Sequence, residues 1–129
     1  MPLWTFAIGT ARGTHDQEGR ALWLERDAGF LDYGRRRELA LRRLAARAVE
    51  ARADFVATVR LLCARGAALA LALRVAARVH RGGGLGREAV YVPALLRVED
   101  AMARDRGMDG VMRVGRVSVE SVGVLVEWI

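Results

Sequence analysis

Between Arg35 and Ala53 apolar residues return at helical spacing. Leu41, Leu44, Ala45, Ala48 and Val49 fall on one stripe, while Arg36, Arg43 and Arg47 lie on another face. A helix of that length must bury its stripe against other helices, so the chain is steered towards a helical array. The same period recurs downstream. Asp54 is placed to cap a helix over Phe55 to Arg65, whose apolar residues are Phe55, Val56, Val59, Leu62 and Cys63, and Gly66 is a natural stop. Ala67 to His80 reads as a further helix, apolar nearly all round and therefore expected to be central. "RGGGLGRE", Arg81 to Glu88, reads as a turn in which Gly82, Gly83 or Gly84 ends the preceding helix at positive φ. A helix restarts near Arg87 and runs to about Arg104, followed by the loop "DRGMDG". Val111 to Val117 is short enough to be extended, and Ser118 begins a terminal helix that ends at Trp128.

Upstream, Leu3 to Ile8 is a short apolar entry and Gly9 to Thr14 is loop-like. Glu18 to Arg26 fits a first helix with Asp16 as its cap, broken by Asp27 to Gly34. The pattern predicts an all-α, compact multi-helix array of about six helices, forming one domain over residues 1–129.

The chain is 53% apolar, so it can bury a core. Its net charge is +6, and every one of its basic residues other than histidine is arginine. Those arginines are spread over several segments among glutamates, which predicts a solvated surface and no nucleic-acid partner. The skew to arginine fits a GC-rich coding bias. One cysteine, Cys63, allows no internal disulfide and suggests a reducing, cytoplasmic location; set among apolar neighbours, it reads as a buried small residue. The longest apolar stretch, Ala67 to Leu73, is too short to span a bilayer, so no membrane partner is expected.

"GGGLG" invites a phosphate-binding reading. A dinucleotide fingerprint needs a strand before it, however, and a helix is expected there; a P-loop needs lysine, and the chain has none. The run is a helix stop, or a backbone nest that admits a substrate main chain or carboxylate with help from Arg78 and Arg81.

"GTHDQEGRALWLE", Gly13 to Glu25, sets His15, Asp16 and Glu18 together. They offer nitrogen and oxygen donors suited to zinc, but zinc needs three or four protein ligands, and the only other histidine is the distant His80. On spacing alone, the polar cap of a helix is the stronger reading.

Four blocks of this sequence, taken in order, resemble one family. "HDQEGRALWLE" resembles the signature of the QEGLA-motif proteins, whose bacterial members are often labelled flavohaemoglobin expression-modulating, and whose superfamily includes the tubulin tyrosine carboxypeptidases, which are zinc metallopeptidases. "RVHRGGGLGREAVYVPALL", Arg78 to Leu96, resembles the family's arginine–glycine block with its acidic residue, Val-Tyr and apolar helix. "ADFVATVRLLCARG" and "VGRVSVESVGVLVEW" are similar to an internal helix and the closing segment. The chain departs from the pattern at Arg20, where the family has leucine, at His80 in place of an aromatic residue, and at Gly86 in place of a small polar one.

The resemblance implies the C-terminal part of a zinc metallopeptidase-like domain. In that family two histidines and a general base come from an HExxxH helix, and the third zinc ligand is the glutamate of the QEGLA motif. Carried over, that ligand is Glu18, with Gln17 and Gly19 matching its neighbours; His15 matches no ligand and reads as an exposed loop residue. The chain contains no HExxxH, and Met1-Pro2-Leu3 aligns with a segment that follows that helix. A truncated, split or mis-started gene would explain this. The expected partners are an upstream half of the same domain and, as substrate, a peptide or protein C-terminus. Arg78 and Arg81 would hold the substrate carboxylate and Tyr91 would line the site, with salt bridging and packing as the equally open alternative for all three. The chain by itself is expected to hold no catalytic residue, bind zinc weakly and be inactive. The other reading is a non-catalytic helical module that regulates or binds a partner.

Overall fold

The computed structural model describes residues 9–82 and 85–128. In chain order the helices are α1 (Gly13–Asp27), α2 (Tyr33–Glu50), α3 (Phe55–Ala64), α4 (Leu69–His80), α5 (Leu85–Arg104) and α6 (Met108–Met112), followed by α7 (Val122–Leu125) between two short 3₁₀ turns. No strand occurs among the described residues; the one extended pairing there is an isolated parallel bridge between Gly9 and Arg116. The all-α expectation is met. Leu3 to Ile8, Gly83 and Gly84 lie outside the described residues.

The chain divides into two compact units, one built from residues up to Phe30 together with those from Pro93 onward, the other from Leu31–Val92. The contiguous unit packs α2, α3 and α4 on one another. Asp32 and Asp54 cap α2 and α3, their carboxylates accepting from the backbone N–H of Arg35 at 2.8 Å and Ala57 at 2.7 Å. Leu41, Ala45 and Ala46 of α2 meet Val59 and Leu62 of α3 and Ala72, Val75, Ala76 and Val79 of α4 in one buried cluster. Cys63 is partly buried against that cluster. α4 is less central than its composition suggests. It buries one face, while Leu69 and Leu73 are exposed, because its apolar content is spread round the helix but its neighbours are not. The turn after α4 is as expected: Gly82 has φ 77°.

The discontinuous unit joins α1, the part of α5 from Pro93, α6 and the closing turns. Leu22 and Trp23 of α1, Val98, Ala101 and Met102 of α5, and Met112, Val114, Val117 and Val122 are buried in it. Three expectations are corrected here. α1 starts at Gly13, so Asp16 is a buried residue inside the helix and not its cap. The closing helix from Ser118 is broken into short turns, where valines and Gly123 give little helix propensity. Met108–Met112, expected in part as loop, is helical.

Pro93 sits inside α5 and has no N–H to give the carbonyl four residues back. That carbonyl belongs to Ala89, and the guanidinium of Arg43 on α2 donates to it instead. The helix therefore continues through its proline with the freed acceptor satisfied.

Candidate functional site

The first turns of α1 are pinned on both sides of Glu18. Gln17 donates through Nε2 to the carbonyls of Met112 at 2.6 Å and Gly115 at 2.7 Å. Gly19 lies against α5 so closely that a Cβ there would sit 2.4 Å from the carbonyl carbon and oxygen of Ala94. Gly13 makes a similar approach, a Cβ falling 1.7 Å from the Arg116 carbonyl oxygen. Asp16 is fully buried: its Oδ2 accepts from Arg97 at 3.0 Å and from the backbone N–H of Val119 at 2.9 Å, while Oδ1 has no partner among the described residues. Arg97 reaches on to Glu120 at 2.6 Å. The carboxyl of Glu120 is held below the usual range by its own backbone hydrogen bond and by Arg97.

Between these fixed residues, Glu18 is half-buried. Among the described residues its carboxylate makes no hydrogen bond or ion pair. It has the donor chemistry of one metal ligand. No group of three histidine, cysteine, aspartate or glutamate residues gathers among the described residues. His15 is exposed, and it stands on α1 and not in a loop. Arg20, the charge in the leucine position of the motif, is bound to Asp109 at 2.7 Å, both side chains being largely buried. Burial would raise the Asp109 carboxyl, but hydrogen bonds from Arg20 and Arg113 outweigh it and hold it low. The charge is accommodated because α6 supplies its partner.

Within Leu31–Val92 a second cluster forms on Glu88, in the first turn of α5. Glu88 is 2% exposed. Its Oε2 accepts from Arg42 Nε at 2.6 Å, and its Oε1 from Arg42 Nη2 at 2.7 Å and from Arg78 Nε at 2.6 Å. Burial pushes the Glu88 carboxyl up, yet the hydrogen bonds from Arg42 and Arg78 hold it below the ordinary glutamate range. The same hydrogen bond raises Arg42, against its desolvation. Arg42 lies over the Tyr91 ring, 5.5 Å from its centroid. Arg78 keeps about half its side chain exposed. Arg81 is exposed, its Nε directed at the Ala77 carbonyl at 3.3 Å. His80 is half-buried, edge-on to Phe55, with Nε2 3.0 Å from Thr58 Oγ1. The hydroxyl of Thr58 is already donated to the Asp54 carbonyl, so the imidazole N–H is the donor to Thr58.

Arg78, Arg81 and Tyr91 thus fall in one unit and Glu18 in the other. The family model described as microtubule-associated tyrosine carboxypeptidase matches residues 2–129. The chain belongs to this family. No curated protein matches the chain. Nor does any solved structure. Membership in the carboxypeptidase family agrees with the resemblance read from the QEGLA-like and arginine–glycine blocks. No helix among the described residues is long and apolar enough to cross a membrane.

The sequence does not single out Arg42 or Glu88 as site-forming residues, and it reads Asp16 as a cap or a zinc donor and not as the buried partner of Arg97 and Val119. A signal for Arg42 was present: it stands at helical spacing between Leu39 and Ala46, both buried, and a charge on such a face requires a partner. Nothing in the local sequence told that Glu88 was that partner.

Proposed function

We propose that this chain is the C-terminal part of a zinc-dependent metallocarboxypeptidase-like domain, contributing Glu18 as one zinc ligand and inactive by itself. Family membership over residues 2–129 carries the reading. It is supported by the way Gln17 and Gly19 are locked while the carboxylate between them is left without a protein partner among the described residues. The remaining ligands and the general base would come from an HExxxH segment, which the 129 residues do not contain. In a complete domain zinc would supply Lewis-acid polarisation of the scissile carbonyl. What this chain's own residues would do is hold Glu18 in place and receive the substrate's C-terminal carboxylate on Arg78 and Arg81, with Tyr91 lining the site. The free, partly buried Cys63 suits a cytoplasmic setting.

The test is zinc affinity by competitive chelator titration on three samples: the chain alone, the chain extended by an HExxxH-bearing segment, and the extended chain with Glu18→Ala. Weak binding alone, tight binding when extended and loss with Glu18→Ala are expected, because one carboxylate cannot hold the ion. Tight stoichiometric zinc on the chain alone would mean that it holds a site of its own. Unchanged affinity in the Glu18→Ala sample would remove Glu18 as a ligand. A helical module that binds a partner without chemistry is the second reading, favoured by the missing HExxxH; it requires that the extended chain bind no zinc.

A further inference from the structure

We propose that Glu88 is a positioning residue, which holds Arg78 by its Nε so that the rest of the guanidinium is presented to one carboxylate of the substrate. The inference rests on the reading of Arg78 as a carboxylate receptor and deepens it. Glu88 is 2% exposed and accepts three hydrogen bonds from two arginines. The two partners are used differently. Arg42 is 6% exposed and binds both oxygens, sits over Tyr91, and has Glu38 4.0 Å from its Nη1; it belongs to the frame. Arg78 gives only its Nε, and among the described residues its two terminal nitrogens make no hydrogen bond.

An unanchored surface arginine must lose its rotamer freedom when it binds a ligand. Here Glu88 has already fixed the guanidinium plane, and the fixing group cannot move, being buried and held by Arg42. A carboxylate needs two parallel N–H donors, and a guanidinium held through Nε still has a terminal pair to offer. Glu88 does not cancel the charge of Arg78, because its own charge is shared with Arg42. Arg81 and Arg87, both exposed, keep the surroundings basic.

The experiment is side-chain NMR of the arginines in the whole chain, titrated with N-acetyl-tyrosine as the free acid and as its amide. In the unliganded protein the Nε–H of Arg78 should give a resolved, slowly exchanging signal and that of Arg81 should not. The free acid should shift the Arg78 signals, and the amide should leave them in place. Glu88→Gln should average the Arg78 signal and weaken the free acid about tenfold, the share expected of one charge-assisted contact. Arg78→Lys should weaken it by a similar factor, since lysine keeps the charge but not the fork. A folded Glu88→Gln protein that binds the free acid as well as the wild type would overturn the positioning role and leave the receptor reading standing. Should that variant not fold, an Arg78 signal as averaged as that of Arg81 in the wild type overturns it equally. An ordered Arg78 that ignores the free acid would instead remove the receptor reading itself.

Discussion

Gly19 has no room for a side chain, and that is a property of one atom. Alanine there would gain up to about 1 kcal/mol of helix propensity. Its Cβ, however, would lie 2.4 Å from backbone atoms of Ala94, which cannot swing aside as a side chain can. Overpacking of this kind costs about 1–3 kcal/mol, so Gly19→Ala should destabilise the protein. Gly86 is the internal control: it is helical, and a Cβ there meets nothing within 4 Å. Urea unfolding should show a lower midpoint for Gly19→Ala and an equal or higher one for Gly86→Ala. A higher midpoint for both would mean that α1 is not held that close to Ala94. The glycine of the QEGLA-like motif is thus explained by packing, and the glutamine by its hydrogen bonds to Met112 and Gly115. Neither explanation touches Glu18, the one residue of the triplet whose side chain is left without a partner among the described residues.

At the scale of elements, α5 is instructive because it contains its own interruption. If Arg43 replaces the donor that Pro93 lacks, the two residues are coupled even though they sit on different helices. Arg43→Ala should cost about 1–3 kcal/mol by leaving the Ala89 carbonyl unsatisfied. In a Pro93→Ala background the helix supplies its own N–H, and the same change should cost much less. A double-mutant cycle by chemical denaturation reads the difference, and equal costs in both backgrounds would dissolve the pairing. Much of this architecture is legible in the sequence. The caps at Asp32 and Asp54 differ in this respect. Asp54 announced itself by standing before an apolar run, whereas Asp32 was hidden in a stretch that read only as a break. The glycine turn after α4 was legible because positive φ selects so few residues. α1 was misplaced at its start, since Gly13 and Asp16 obey long-range contacts with Arg116, Arg97 and Val119 that no local pattern encodes. The Glu88 cluster was illegible for the same reason. Its members are separated by up to 46 residues, and only the packing of α2, α4 and α5 brings them together.

Several of the described arginines share carboxylates. Arg42 and Arg78 share Glu88, Arg97 joins Asp16 to Glu120, Arg20 and Arg113 share Asp109, and Arg26 meets Glu99 at 2.8 Å. The other whole-molecule property is that one compact unit is contiguous while the other is written in two pieces on either side of it. That arrangement imposes a schedule on synthesis. A chain emerging from the ribosome makes α1 early, yet Gln17 must wait for Met112, 95 residues later, before it can close its hydrogen bond. Leu31–Val92 has no such wait, because all its core partners lie within one short span. Once residue 92 has cleared the ribosome exit tunnel, α2 to α4 should therefore be protected from proteolysis while α1 is still cut, and α1 should gain protection only once the segment through Val119 is free as well. Early protection of α1 would refute the schedule. On this timetable α1, with the proposed ligand Glu18, waits unfinished after the contiguous unit is complete, and it is in that interval that a chaperone or a protease would meet it.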